Sequence, residues 1–367
     1  MTDEKLDQLL KKALAPEVTE DEIRVAERKG TNKMVRRFKK ISTGVAAAVG
    51  ILALGTGTIA TINPALAAKI PLIGNIFSQT QDNVTFSGDY SEKMTVLTDD
   101  QPETNVISAE DNGFTITASE IYCDGLSLYL TLAIESTEAD FTYITEYITG
   151  AGDGETRSAS GMYLDYYWQK EGGDISPMTA NTIEGVAVDA HTFTGILKID
   201  MTEQLAEHDK INIEFTKIGY DDARPEYQNQ TTVGAAYSYQ GSWKLSIPVS
   251  ADTSESKTFT FDESNGNVSL NTVYITPYEV IVDAQQLYDG VAGQGNVVVY
   301  DQNGEKLQYA NGSGNPTYSY FAVQGKEIST LQVYVFDNDE DWFAVYKGGT
   351  IDDAKERAVI SEIIDVE

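Results

Sequence analysis

Residues 41–62, ISTGVAAAVGILALGTGTIATI, run for 22 positions without a charge. At about 1.5 Å per residue a helix of that length crosses a hydrocarbon core of roughly 30 Å. A chain carrying such a run is divided by it. Thirteen of the 22 residues are Ala, Val, Ile or Leu and nine are Gly, Ser or Thr, so the span is long enough but only moderately apolar. Its flanks set a direction: residues 24–40 hold eight Lys or Arg against the single acid Glu27, and the next basic residues beyond it are Lys69 and Lys93. The positive-inside rule then places residues 1–40 in the cytoplasm and the long C-terminal part outside. That asymmetry weakens the competing reading, a buried helix of a soluble protein.

A cleaved signal peptide is the stronger competitor, because Ala65-Leu66-Ala67 matches an A-x-A cleavage site and Pro64 ends the helix before it. Two features favour an uncleaved anchor. The charged segment ahead of the run is 40 residues long with helix signals of its own, and the run exceeds the usual 7–15 residues of a signal h-region.

The chain carries a formal charge of −31, but residues 1–40 hold 11 basic and 8 acidic residues, which leaves 15 basic and 49 acidic beyond them, a net −34. Such a surface repels nucleic acid and anionic lipid and attracts cations, cationic peptides or basic wall components; it also simply keeps a domain soluble. Cys123 is the only cysteine, so no intrachain disulfide forms and packing must supply stability.

Within residues 1–40, Leu6, Leu9, Leu10, Ala13 and Leu14 recur at helical spacing and Pro16 closes the pattern. Thr19-Glu20-Asp21-Glu22 reads as a capping box for a second short helix. A short helix with a leucine stripe has no core of its own to bury against. Leu6, Leu9, Leu10 and Leu14 are therefore the candidate partner-binding residues. Residues 63–83 form a juxtamembrane segment whose apolar stretch IPLIGNIF is expected on the headgroup boundary or under the first exported domain.

Beyond residue 83 the pattern changes to period-two alternation rich in Thr, Val, Ile, Tyr and Phe, with turn residues between segments, the signature of half-buried antiparallel strands. Asp124-Gly125 and Asn303-Gly304 read as tight turns. An internal repeat at an offset of 154 aligns Phe114, Ile116, Ile121, Leu126 and Leu128 with Val268, Leu270, Ile275, Val280 and Val282, each copy preceded by Asn-Gly. The expected fold is mainly β, two immunoglobulin-like antiparallel sandwiches after one N-terminal transmembrane helix. The expected boundaries are 84–218 for the first exported domain, 219–241 for a linker, 242–347 for the second domain and 348–367 for a tail with a short helix.

No catalytic constellation emerges. His191 and His208 are the only histidines, too few for a three-histidine site, and no H-E-x-x-H, P-loop or G-x-S-x-G pattern is present. The expectation is a non-enzyme without cofactor or metal, although a two-carboxylate glycosidase would be hard to see among so many acids. Residues 150–154, GAGDG, read as a hairpin tip rather than a phosphate loop. Residues 337–341, DNDED, start like a calcium loop but have Trp342 at position six and Gly348 at position twelve, so an acidic hairpin tip between strands 331–336 and 343–346 is the simpler reading. Residues 162–168, MYLDYYW, concentrate aromatics as a sugar- or peptide-binding face does, and also as a sandwich core does.

The charged N-terminal piece, the single span, Asn63-Pro64-Ala65-Leu66-Ala67 and the stretch IPLIGNIF together resemble the membrane-anchored proteins of Gram-positive bacteria that accompany extracytoplasmic-function sigma factors as anti-sigma factors, a family known chiefly as domains of unknown function. The hairpin NGFTITASEIYCDGLSLYLTLAIES and the later GSWKLSIPV are similar to that family's first and second exported domains. The resemblance implies that the cytoplasmic piece sequesters a sigma factor and that the exported β domains sense an envelope signal. Residues 1–40 depart from the zinc-type anti-sigma domains in lacking their His and Cys ligands. The alternative is a cell-surface adhesion or wall-binding protein whose N-terminus is only a signal-anchor. The leucine stripe favours the first reading.

Overall fold

The computed structural model describes residues 75–366 except 82–83, 85, 87, 98–106, 145, 151–155, 202–203, 207, 223–236, 313–316 and 324–325. The chain divides into two units, Met1–Pro71 and Leu72–Glu367, and every described residue belongs to the second. The segment expected in the cytoplasm, with Leu6, Leu9, Leu10 and Leu14, and the expected span at 41–62 lie outside the described residues. Among the described residues no helix is long and apolar enough to cross a membrane.

Two short helices open the described part, α1 (Ile76–Thr80) and α2 (Tyr90–Lys93). The first core is enclosed by one ten-stranded antiparallel sheet. Its strands are β1 (Thr95–Val96), β2 (Ile107–Asp111), β3 (Phe114–Cys123), β4 (Ser127–Ser136), β5 (Glu146–Gly150), β6 (Thr156–Lys170), β7 (Ser176–Asp189), β8 (Thr192–Asp200), β9 (Asp209–Tyr220) and β10 (Tyr237–Val249). The order along the sheet is β1-β3-β4-β8-β7-β6-β9-β10, with β2 also on β3 and β5 on β6. Its ends meet: Trp243 Nε1 donates to the carbonyls of Asp111 and Phe114 at 3.1 and 3.0 Å, and the Asn112 amide donates to Gln240 O at 3.0 Å. The turn that makes this clasp, Asn112-Gly113, has φ of 47° and 75°, the left-handed pair a two-residue hairpin needs.

The second core lies between two sheets. One has the order β11-β12-β13-β17-β16 with β14 on β13, built from β11 (Lys257–Asn265), β12 (Val268–Ile275), β13 (Glu279–Tyr288), β14 (Val291–Gln294), β16 (Gln308–Gly312) and β17 (Tyr318–Ala322). The other is β15-β18-β19, from β15 (Asn296–Tyr300), β18 (Thr330–Phe336) and β19 (Ile360–Asp365). Val282, Val299, Phe321, Val333 and Ile364 interdigitate between them. The helices α3 (Asp339–Tyr346) and α4 (Ile351–Arg357) connect β18 to β19.

The repeat is visible in three dimensions. The meanders β2-β3-β4 and β11-β12-β13 are both antiparallel, and each carries a register shift between its last two strands, after Ala118 in one and after Leu270 in the other, two residues apart when the copies are aligned. All ten aligned residues are buried.

Three boundaries are corrected. The stretch GSWKLSIPV, expected in the second domain after a linker at 219–241, is β10 of the first sheet, because Trp243, Leu245, Ile247 and Val249 alternate into the first core and pair along β9. The chain passes to the second core at residues 250–256 instead. Residues 343–346 are helical rather than a strand: Asn338 Oδ1 accepts the Asp341 amide at 2.9 Å and three acids occupy the first turn of α3, which suits the positive end of a helix. The tail at 348–367 is no appendage, since its helix ends at Arg357 and Ile360–Asp365 pairs with β18.

Candidate functional site

Opposite residues on β3, β4 and β8 put Tyr122, Tyr129 and Lys198 in one row across the outer face of the first sheet, with Glu120, Thr131 and Ile196 in the next. An outer face is ordinarily wet. Here it is covered from two sides, by residues 75–97 and by the second core. The α1 side chains Ile76 and Phe77 are buried, as the sequence expectation of docking under the first domain implied for this end of the apolar stretch.

Rings make the first half of the junction. Tyr90 of α2 lies 4.4 Å from Tyr129 and 4.5 Å from Tyr278 between centroids, and Tyr122 meets Tyr278 edge-on at 5.4 Å. Tyr278 belongs to the loop before β13, so strap, first sheet and second core share one aromatic cluster. Gly88 is where they come closest: a Cβ there would stand 2.5 Å from the Tyr278 ring. Among the described residues the hydroxyls of Tyr122 and Tyr278 are buried without a hydrogen-bond partner, a cost of about 1–3 kcal/mol for each such group.

Charges make the second half. Lys198 Nζ lies 2.9 Å from Glu279 Oε1 and also contacts Asp200, and Ser127 Oγ donates to Glu279 Oε2 at 2.7 Å. The Tyr320 ring centroid is 4.8 Å from the ammonium, close enough for a cation–π contact. Burial alone pulls the Lys198 pKa down, but Asp200 and Glu279 outweigh it and hold the ammonium charged. Burial pushes Glu279 up against the pull of Lys198. Asp124, raised by burial, accepts the amides of Ser127 and Leu126 at 2.7 and 3.1 Å and so fixes the β3–β4 turn beneath the second core. Glu120 accepts the Phe77 amide at 3.0 Å, and burial lifts its pKa to about 7.

Tyr278 and Glu279 of the second core touch the strap and the first sheet at once: Tyr278 meets Tyr90 and Tyr122, and Glu279 meets Lys198 and Ser127. Sequence reasoning missed this junction because Glu120 and Lys198 sit at outward parity in strands, where a charge is what any solvated face carries.

The other candidates separate. In MYLDYYW, Met162, Leu164, Tyr166 and Trp168 point into the first core and Tyr167 stands outside, beside a shallow depression of about 490 Å³ with Ile175, Glu214 and Lys244 on its rim. The residues DNDED cap and begin α3, and Asp341 pairs with Arg357 at 2.6 Å. Among the described residues no three His, Cys, Asp or Glu side chains are grouped to hold a metal ion. Of GAGDG, residues 151–154 lie outside the described residues; the strands on either side, β5 and β6, are paired.

A family described as "Domain of unknown function (DUF4179)" matches residues 35–136. This agrees with the resemblance at the level of a family of unknown function. No curated protein matches the chain. Among solved structures, the crystal structure of the conserved domain protein from Bacillus anthracis is similar at a TM-score of 0.39 and 16% identity, covering 76% of this chain and 93% of that one.

Proposed function

We propose that this chain is a single-pass membrane protein of the cell envelope, with residues 1–40 in the cytoplasm holding an extracytoplasmic-function sigma factor and the β cores outside receiving the signal. The observation that carries the reading is the extent of the family match. It begins at residue 35, runs through the uncharged stretch at 41–62 and ends at residue 136 with β4. Basic flank, span, strap and first meander thus recur as one unit, which favours an anchor over a leader to be discarded. The strap supports it further, because residues 75–97 follow the span closely and are pinned by both cores. We read the second core, two sheets packed face to face, as immunoglobulin-like.

In this reading Leu6, Leu9, Leu10 and Leu14 form the stripe that docks in a groove of the sigma factor. Replacing Leu6 and Leu10 by Asp buries charges in that groove and costs several kcal/mol, enough to release the partner. Transcription from the sigma factor's own promoter is expected to rise in the double mutant while a C-terminally tagged chain stays full length in membranes. Unchanged transcription, with no sigma factor recovered on a peptide of residues 1–40, would put the adhesion reading ahead. A shortened soluble form would remove the anchor.

A further inference from the structure

One end of the second core presents an apolar surface that no described residue covers. The β13–β14 hairpin turns at Asp289-Gly290, with φ of 51° and 82°, and presents Leu287 on one face and Tyr288 and Val291, a cross-strand pair, on the other. They are 45%, 48% and 70% exposed. Beside them α3 carries Asp339, Phe343 and Tyr346 at i, i+4 and i+7, one face of the helix. Phe343 and Tyr346 are 43% and 39% exposed.

Hairpin and helix are fixed to each other. The Asn296 amide donates to Asp339 Oδ1 at 2.8 Å and to Gln286 Oε1 at 3.2 Å, and Tyr288 OH donates to the same Gln286 oxygen at 3.0 Å. The surface is therefore preformed, which lowers the ordering cost of binding. Single exposed apolar residues need no explanation, but Tyr288 and Val291 on one hairpin face and Phe343 and Tyr346 on the helix tied to it do.

Charge says what fits. Asp289, Asp339 and Glu340 rim the patch, and the part of the chain beyond residue 40 carries a net −34, so an anionic lipid surface or a nucleic acid is repelled. The Phe343 ring face already holds a cation, with Lys347 Nζ 4.9 Å from its centroid. We propose that this end of the second core is a docking surface for a cationic amphipathic peptide, whose apolar side chains cover Tyr288, Val291 and Phe343 while its ammonium groups meet the acidic rim and the aromatic faces. It deepens the function proposed above by naming the chemistry of the signal, and rests on that reading only for the compartment in which the peptide is met.

The test is fluorescence anisotropy on the full chain in nanodiscs of phosphatidylcholine, with empty discs subtracted. The probe is a short labelled peptide of alternating Lys and Leu. Tyr288→Ser with Phe343→Ser is expected to weaken binding about tenfold, as loss of central aromatic contacts does. Val291→Ser, confined to the exposed hairpin tip, is expected to weaken it severalfold with the melting temperature unchanged, whereas Leu287→Ser on the opposite face should leave binding as it is. Asp339→Asn with Glu340→Gln should flatten the salt dependence, and Lys347→Ala should tighten binding by freeing the ring face. Equal affinity of the wild type, the Tyr288→Ser with Phe343→Ser variant and the Val291→Ser variant would overturn the proposal. So would equal binding of a Lys-Ser peptide, which reports diffuse charge, or of a Glu-Leu peptide, which reports unselective apolar contact. None of these readouts involves the sigma factor, so this proposal and the membrane reading fail separately.

Discussion

Glu120 illustrates how burial alone turns an ordinary carboxylate into a group that titrates near neutrality. Its folded pKa of about 7 stands above the 4.5 of an exposed Glu, so the folded state binds the proton more tightly than the unfolded chain does. Its contribution is therefore fully present below about pH 4.5 and is lost as pH rises through 7, by about 3 kcal/mol in all. Glu120→Gln keeps an acceptor for the Phe77 amide and is expected to flatten the rise in stability seen on lowering the pH from roughly 8 to 5, measured as denaturant midpoints. Lys198 poses the opposite case. Lys198→Met leaves Glu279 and Asp200 buried with no cation and is expected to destabilise by about 3–5 kcal/mol, whereas Lys198→Met with Glu279→Leu should recover most of that loss. Neither residue could be singled out by reading the sequence, because the partners of each lie far along the chain: Glu120 meets Phe77, and Lys198 meets Glu279. The aromatic run at 162–168 was half legible, its parity giving Met162, Leu164, Tyr166 and Trp168 to the core without saying which outer residue borders a depression.

At the level of the element, the strap of residues 75–97 depends on Gly88. A valine there has no room beside Tyr278, so Gly88→Val is expected to lift the strap from the junction. Amide hydrogen exchange should report faster exchange across residues 75–97 with the protection of β12 and β18 retained; uniform acceleration would mean instead that the second core had loosened. Strands were the most legible elements, and the β3–β4 hairpin forms around Asp124-Gly125 as its turn residues require. Strand membership was less legible than strand existence. The alternation in β10 says that one face is buried without saying in which core, and only pairing with β9 and the Trp243 clasp decide it. In α3 a local cap outweighed β-prone residues: Trp342, Phe343, Val345 and Tyr346 each favour strands, yet Asn338 and the acids after it start a helix.

Taken whole, the second unit has two hydrophobic cores joined by a junction that is itself buried. Cores with a small polar interface unfold independently, whereas cores that share buried rings and a buried ion pair lose both when either melts. Calorimetry of the full chain is expected to show one transition for the β body, and Lys198→Met is expected to split it in two; two transitions in the wild type would show that the junction contributes little. The offset-154 repeat foretold the paired meanders, but a repeat says nothing of what fills the space between its copies.

The place of β19 has a consequence for how the protein comes into being. Every strand of the first sheet has been made once residue 249 is synthesised, but the three-stranded sheet of the second core lacks an edge until residues 360–365 arrive, and the Val366 amide then donates to Ser329 O. For more than a hundred residues of synthesis the first core therefore stands beside an unfinished second one, its tyrosine row covered by Tyr90 of the strap and its Lys198 dependent on Glu279 of a core that still lacks an edge. A product that stops short of residue 360 has a complete first core and a second core with the edge of β18 and the inner face behind it uncovered, the kind of exposed surface by which chaperones and proteases recognise unfinished chains.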